Sequence, residues 1–229
     1  MTSDATGRPP RRQSNPRGQG ERLRAEIIDA ASALVAEAGS ARQLSLRGVA
    51  RKVGIATTSV YPHFPDVDHL RVAVVERGFI ELDRRRVAAA EGAANSARAL
   101  LARWRAYAHF ALDHPGHYRL MFGPDLPPML AFDGERSPGR ASFYAAVEGI
   151  ARCQREGTAQ RSDGAFYLAT LAWAAVHGLV SLRIDRPNFP WPPLDEMLDE
   201  TLIRLLGLRP STSDSALEAD KPDASSATG

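Results

Sequence analysis

At 229 residues, 44% hydrophobic and 24% charged, the chain can bury a sizeable core and has room for a helical domain carrying a small appendage domain. Its one cysteine, Cys153, excludes a disulfide framework and a cysteine zinc site, and a polar, arginine-rich start with no apolar block behind it excludes a secretory leader, so a reducing cytoplasm is the expected setting. Net charge is only +2, yet residues 1–86 hold 15 Lys and Arg against 10 Asp and Glu while residues 87–229 hold 14 against 17, which concentrates positive charge in the first part of the chain.

No stretch alternates apolar and polar residues long enough to make a half-buried strand, and alanine and arginine are abundant, so an all-α fold is expected. Residues 1–20, rich in Gly, Pro and Arg, read as a disordered basic tail in which Arg8, Arg11, Arg12 and Arg17 form a positive arm. Over 21–38, Leu23, Ile27, Ala30, Ala31, Leu34 and Val35 fall on one helical face, and Gly39 closes the helix. A shorter amphipathic helix follows: Leu46, Val49, Ala50 and Val53 share a stripe, Ser45 sits at the N-cap and Gly54 supplies a left-handed turn. Ile55 plugs the corner. Thr57 is expected to cap a third helix in which Val60, Tyr61 and Phe64 face inward while Thr58, Ser59, Pro62 and His63 face outward. Pro62 removes an internal hydrogen bond there, so the readable part of that helix is confined to residues 57–61. Two short helices set across a glycine turn, the second with a polar outward face, suit the DNA major groove.

Asp66 or Asp68 starts a long fourth helix through Leu70, Val74, Val75, Phe79 and Leu82 toward Ala90, linking this head to the rest. Another helix carries Ala97, Leu101, Trp104, Ala108 and Leu112 to a stop at His114 and Pro115. Tyr118, Leu120, Met121 and Phe122 make one or two helical turns, and residues 125–136 read as a loop. A helix over 138–156 then carries Phe143, Val147, Ile150 and Ala151 up to Gly157. Ser162 or Asp163 is expected to cap the next helix, 164–184, which is apolar on nearly every side. It has the length of a membrane span, but Thr170, His177 and Ser181 interrupt it, so no membrane is expected and cover within a symmetric dimer is expected instead. A last helix, 194–206, places Met197, Leu198, Thr201, Leu202 and Leu205 at helical spacing, and residues 210–229 read as a second disordered tail.

Ser45-Leu46-Arg47 with Val49-Ala50, Gly54-Ile55, Ser59-Val60-Tyr61, His63-Phe64-Pro65 and Leu70 together resemble the N-terminal domain of TetR-family transcriptional regulators over about residues 23–79. Trp173, His177 and Gly178 resemble a Trp-x-x-x-His-Gly signature in the C-terminal domain of one subgroup. Two departures stand out: Val67 takes the place of a phosphate-gripping lysine, and Pro62 lies inside the reading helix. The resemblance implies a three-helix helix-turn-helix head over 21–66, joined by a long helix to a C-terminal effector-binding and dimerisation domain over 67–209. It further implies a homodimer formed through helices 164–184 and 194–206. Such a dimer is expected to act as a one-component regulator, repressing by default. It grips a roughly palindromic double-stranded DNA operator, and a small, largely apolar effector changes the spacing of its heads.

Within the head, Thr57, Thr58, Ser59 and Tyr61 are expected at base edges and phosphates, His63 at phosphate, and Ser45 and Arg47 at the DNA backbone along the rim. Trp173 and His177, four apart on one helix face, are candidates for an effector pocket, with indole giving apolar contact and imidazole a hydrogen bond. Trp104, Tyr107, Phe110, Met121, Phe122, Phe143 and Tyr144 are further candidate wall residues, and core packing offers the same side chains another role. His114 and His117 are separated by Pro115 and Gly116, and no glycine-rich phosphate loop occurs, so neither a metal nor a cofactor is expected. An enzyme would need Cys153 with His177, or His114 with Asp113, and neither pair has an orienting third group. The remaining alternative is an adaptor that binds a partner protein through its alanine-rich helix and DNA nonspecifically through its basic arm.

Overall fold

Helical spacing of apolar residues accounts for the order of elements. A computed structural model describes residues 19–123, 126–127 and 137–209. Over these the chain forms α1 (Gln19–Ala38), α2 (Leu46–Val53), a 3₁₀ turn (Thr57–Ser59), α3 (Val67–Ala89), α4 (Ser96–Asp113), α5 (Pro115–Phe122), α6 (Arg140–Arg155), α7 (Ala165–Asp185) and α8 (Leu194–Leu206). The fold is all-α. The one β contact among the described residues is an isolated antiparallel bridge between Ala159 and Leu208, which ties the turn after α6 to the end of α8. Residues 1–18 and 210–229 of the expected tails, and nearly all of the expected 125–136 loop, lie outside the described residues. Gln19 and Gly20, expected in the tail, instead open α1.

In the head, Ile27, Ala31 and Val35 of α1 are fully buried against Val49 and Ala50 of α2. Ser45 caps α2, its Oγ accepting from Gly48 N at 3.2 Å, a contact worth about 1 kcal/mol in helix stability. Gly54 ends the helix at φ 79, where any Cβ would be strained. The expected third helix is a single 3₁₀ turn. Ala56, not Thr57, holds the cap position, without a side-chain bond. The Val60 carbonyl accepts from both His63 N (2.9 Å) and Phe64 N (3.0 Å), so the chain tightens and turns away instead of continuing as α-helix. Val60 and Phe64 are buried as expected, each contributing about 1.5–3 kcal/mol by burial. Tyr61, expected inward, is 53% exposed. The Arg24 guanidinium stands 5.1 Å from the Phe64 ring and holds the turn beneath α1.

Asp66 caps α3 by accepting from His69 N at 2.9 Å. One uninterrupted helix then runs from the head into the body, burying Leu70 and Val74 near its start and Phe79 and Leu82 beyond. In the body α4 packs against α3, α5, α6, α7 and α8. Neither Ser162 nor Asp163 caps α7: the helix begins after Gly164 with no side-chain cap, and Asp163 pairs with Arg161 Nε at 2.8 Å. By length and composition α7 would pass as a membrane span, yet one face packs on α4, α6 and α8, burying Leu168, Ala172, Val176 and Val180.

Candidate nucleic-acid interface and ligand cavity

The head's polar residues divide by exposure. Ser45, Arg47, Thr58 and Tyr61 are exposed, and Thr57, Ser59 and His63 are half-buried. Because the Ser45 oxygen already accepts the capping bond, its hydroxyl proton is left to donate outward at the start of α2, where helix N–H groups favour a phosphate. Arg47 and Arg51 add exposed positive charge on α2, whereas Lys52 is paired with Glu37 at 2.6 Å. Val67 packs partly against the core, so position 67 supplies no cation to a phosphate.

Behind the head lies a cavity of about 450 Å³ between α3, α4, α5, α6 and α7. Seven of the nine sequence-predicted wall residues line it: Trp104, Tyr107, Met121, Phe122, Phe143, Tyr144 and Trp173. Edge-to-face ring contacts set much of its shape, with Phe122 5.3 Å from Phe79 and 5.8 Å from Tyr107, and Phe143 5.9 Å from Trp173. Gly139, just before α6, lets the chain lie on the Phe79 ring, since a Cβ there would come 2.8 Å from the ring edge.

Phe110 and His177 do not line this cavity. Phe110 is buried on another face of α4, its ring 5.1 Å from His114 and 5.7 Å from the Arg85 guanidinium. His177 lies one helical turn beyond Trp173 and opens into a neighbouring recess of about 430 Å³, lined also by Ser40, Arg42, Tyr118, Arg119, Phe122 and Asp185. Phe122 lines both spaces. Tyr107 Oη lies 3.2 Å from Tyr118 Oη and from His177 Nδ1, and Tyr118 Oη lies 2.5 Å from that same nitrogen. Burial pushes both phenols above their ordinary range and pulls the imidazole below its own, so all three are uncharged at neutral pH. The two hydroxyls and Nδ1 therefore form one uncharged hydrogen-bonded cluster.

Sequence reasoning missed Arg86, Phe79, Phe166, Ser142 and Thr170, all on the cavity wall. Arg86 sits in the run Arg84-Arg85-Arg86, which reads as solvated surface, yet it is 6% exposed. The available signal was its register: Val75, Phe79, Leu82 and Arg86 follow one another at steps of four, three and four, which places a cation on an apolar stripe. Its Nη1 donates to Ser142 O at 3.0 Å and Ser142 Oγ at 2.5 Å and lies 3.3 Å from Asp83 Oδ1, and the Ser142 hydroxyl donates onward to Asp83 at 2.8 Å.

Residues 100–206 match the family described as the tetracyclin repressor-like C-terminal domain. A protein of unknown function from Rhodococcus sp. RHA1 is 27% identical, with a TM-score of 0.68 over 81% of this chain and 95% of its own. RolR in complex with resorcinol has a TM-score of 0.62 at 17% identity, over 89% of this chain and 96% of its own. A protein from Shewanella sp. PV-4 assigned to the tetR family of transcription regulators gives 0.59 at 16% identity, over 80% and 95%. The last two share the helical fold with this chain.

Proposed function

We propose that this chain, whose residues 100–206 match the tetracyclin repressor-like C-terminal domain, is a transcription regulator of the TetR family acting as a cytoplasmic, homodimeric repressor. It leaves a palindromic operator when a small, largely apolar effector fills the cavity between α3 and α7. Thr57, Thr58, Ser59 and Tyr61 meet base edges and phosphates, His63 meets phosphate, and Ser45 and Arg47 hold the backbone at the rim. The operator-bound form is the one with an unfilled cavity, and the effector acts by favouring a different spacing of the two heads.

The observation that carries this reading is mechanical continuity between cavity and head. Helix α5 is only two turns long, and it touches both: Met121 and Phe122 line the cavity at one end, while Gly116 at the other packs so closely on α1 that a Cβ would come 2.4 Å from Val35 O. Arg119, between them, donates to Gly39 O at the end of α1 and to Asp185 at the end of α7. A molecule that displaces Phe122 therefore moves the helix on which α1 rests. Interiors at crystal-like density pass on such a shift instead of absorbing it.

Dimerisation is proposed through α7 and α8. Tyr167, Leu171, Ala174, Gly178 and Leu182 form one stripe on α7 opposite its buried face, with Tyr167 54% and Leu182 55% exposed. Leu194, Met197, Thr201 and Leu205 form a half-buried stripe on α8. The direct test is a binding titration of full-length protein on the duplex upstream of its own gene against a shuffled duplex. Wild type is expected to prefer the upstream duplex, and T58A/Y61A to lose that preference while keeping its melting temperature. Equal binding of wild type to both duplexes would contradict the reading.

A further inference from the structure

The cavity described above is apolar in most of its wall but not neutral. Among the described residues its lining holds two cations, Arg86 and Arg140, and no carboxylate. Arg140 is partly occupied, its guanidinium 4.7 Å from the Tyr144 ring. Arg86 is the buried one. Its hydrogen bonds leave from Nη1, and its Nε has no partner. The one acid beside it, Asp83, lies 3.3 Å away, is itself 41% exposed in its side chain, and is also bonded by Ser142. A second donor in the same wall, Trp104 Nε1, is likewise buried without a partner. Arg86 thus brings a buried cation, with hydrogen-bonding capacity its neighbours do not fill, to a wall that holds no carboxylate. A guanidinium is the side chain best suited to hold a carboxylate, because its planar N–H groups match two oxygens at once.

We propose that the effector is a small organic acid: a carboxylate held by Arg86, with a flat or short apolar body lying among Phe79, Phe122, Phe143 and Trp173. This rests on the reading of the cavity as the effector site and adds the ligand's charge. The carboxylate completes the hydrogen bonding of a cation that folding leaves half-satisfied. Loss of that buried pair is felt strongly because Arg86 cannot turn to water. Burial already weakens the hold of Arg86 on its proton, and a bound anion offsets that effect.

The test uses full-length protein at pH 7.5 and three matched pairs of probes: benzoate with benzyl alcohol, 1-naphthoate with 1-naphthalenemethanol, and octanoate with 1-octanol. Binding is read by tryptophan fluorescence and by the shift in melting temperature. At least one acid is expected to bind about tenfold or more tightly than its alcohol, the range of a charge-assisted bond. R86M is expected to bring that pair to within about twofold while leaving the alcohol's affinity unchanged, and R86K to retain part of the preference. The wild-type pairs decide the matter even if R86M fails to fold. Equal affinity within every pair overturns the charge assignment. If those equally bound alcohols also release DNA, the effector cavity stands without it. If no probe moves either signal, the cavity reading and the acid both fall.

Discussion

His177 and His117 are held uncharged by their surroundings. Burial is the leading cause for both, joined at His117 by the neighbouring His114, and each imidazole is pulled below its ordinary value of about 6.5. His117 Nδ1 is buried without a partner, and His177 Nδ1 is hydrogen-bonded to Tyr118 Oη. As pH falls, the unfolded chain takes up protons at these positions before the folded one does. The stability present above about pH 6.5 is thus lost as pH drops through that value toward the folded ones. Melting temperature is expected to fall between pH 7.5 and 5.5, and to fall less steeply in H117Q/H177Q. Equal slopes in the two proteins would contradict the account. Glu81 works in a separate window: hydrogen bonds from Arg84 and then Arg85 hold it at about 2, so its contribution is present above 4.5 and fades only on more acid titration. Single residues were legible in the sequence where one local rule acts alone, as with Ser45 at a helix start and Gly54 at a stop, while the start of α3 was narrowed to Asp66 or Asp68 and is Asp66. Arg86 was not, because only register within α3 distinguishes it from its two solvated neighbours, and Phe110 was not, because aromatic character does not say which side of α4 faces empty space.

Helix α5 makes the sharpest prediction among the elements. In G116A the new methyl has backbone on its far side, Val35 O at 2.4 Å and Gly39 at 3.1–3.2 Å, so α5 and α1 must separate. Overpacking of this kind costs about 1–3 kcal/mol. The variant is expected to melt lower and bind operator more weakly while the cavity still takes its ligand, measured by the same fluorescence titration. Unchanged operator affinity would mean that α5 does not carry the link. The boundaries of α2, α4 and α8 were readable within a residue or so, since the apolar period agrees there with a flanking cap at Ser45 or a flanking proline at Pro115 and Pro193. The reading turn was misread for a physical reason: an α-helical period advances 100° per residue, and a 3₁₀ turn advances 120°. The 3₁₀ turn ends at Ser59, so the α-helical spacing that grouped Tyr61 with Val60 and Phe64 does not extend to position 61, which is exposed. The exposed Pro62, having no N–H, offers nothing to extend an α-helix.

For the molecule as a whole, the apolar excess of α7 was visible in sequence, and the fold accounts for half of it. The buried face meets α4, α6 and α8, and the Tyr167 to Leu182 stripe, exposed or half-buried in the protomer, is the face proposed to meet a second copy. Gly178 lies in that stripe, and a Cβ there meets nothing within 4 Å, so a large side chain fits the protomer but would collide across the proposed dimer interface. What sequence could not supply was the cavity, which exists only because rings on five helices meet at angles that leave a gap. The central claim is that two reading heads on one symmetric dimer grip one site. The most direct measurement is a footprint of the wild-type protein and of G178R on the upstream duplex. Wild type is expected to protect two patches related by an approximate dyad, their centres about 10–10.5 base pairs apart or a multiple of that. G178R, folded but monomeric, is expected to protect neither at the same concentration. A single patch from wild type, or the same two patches from monomeric G178R, would contradict the account.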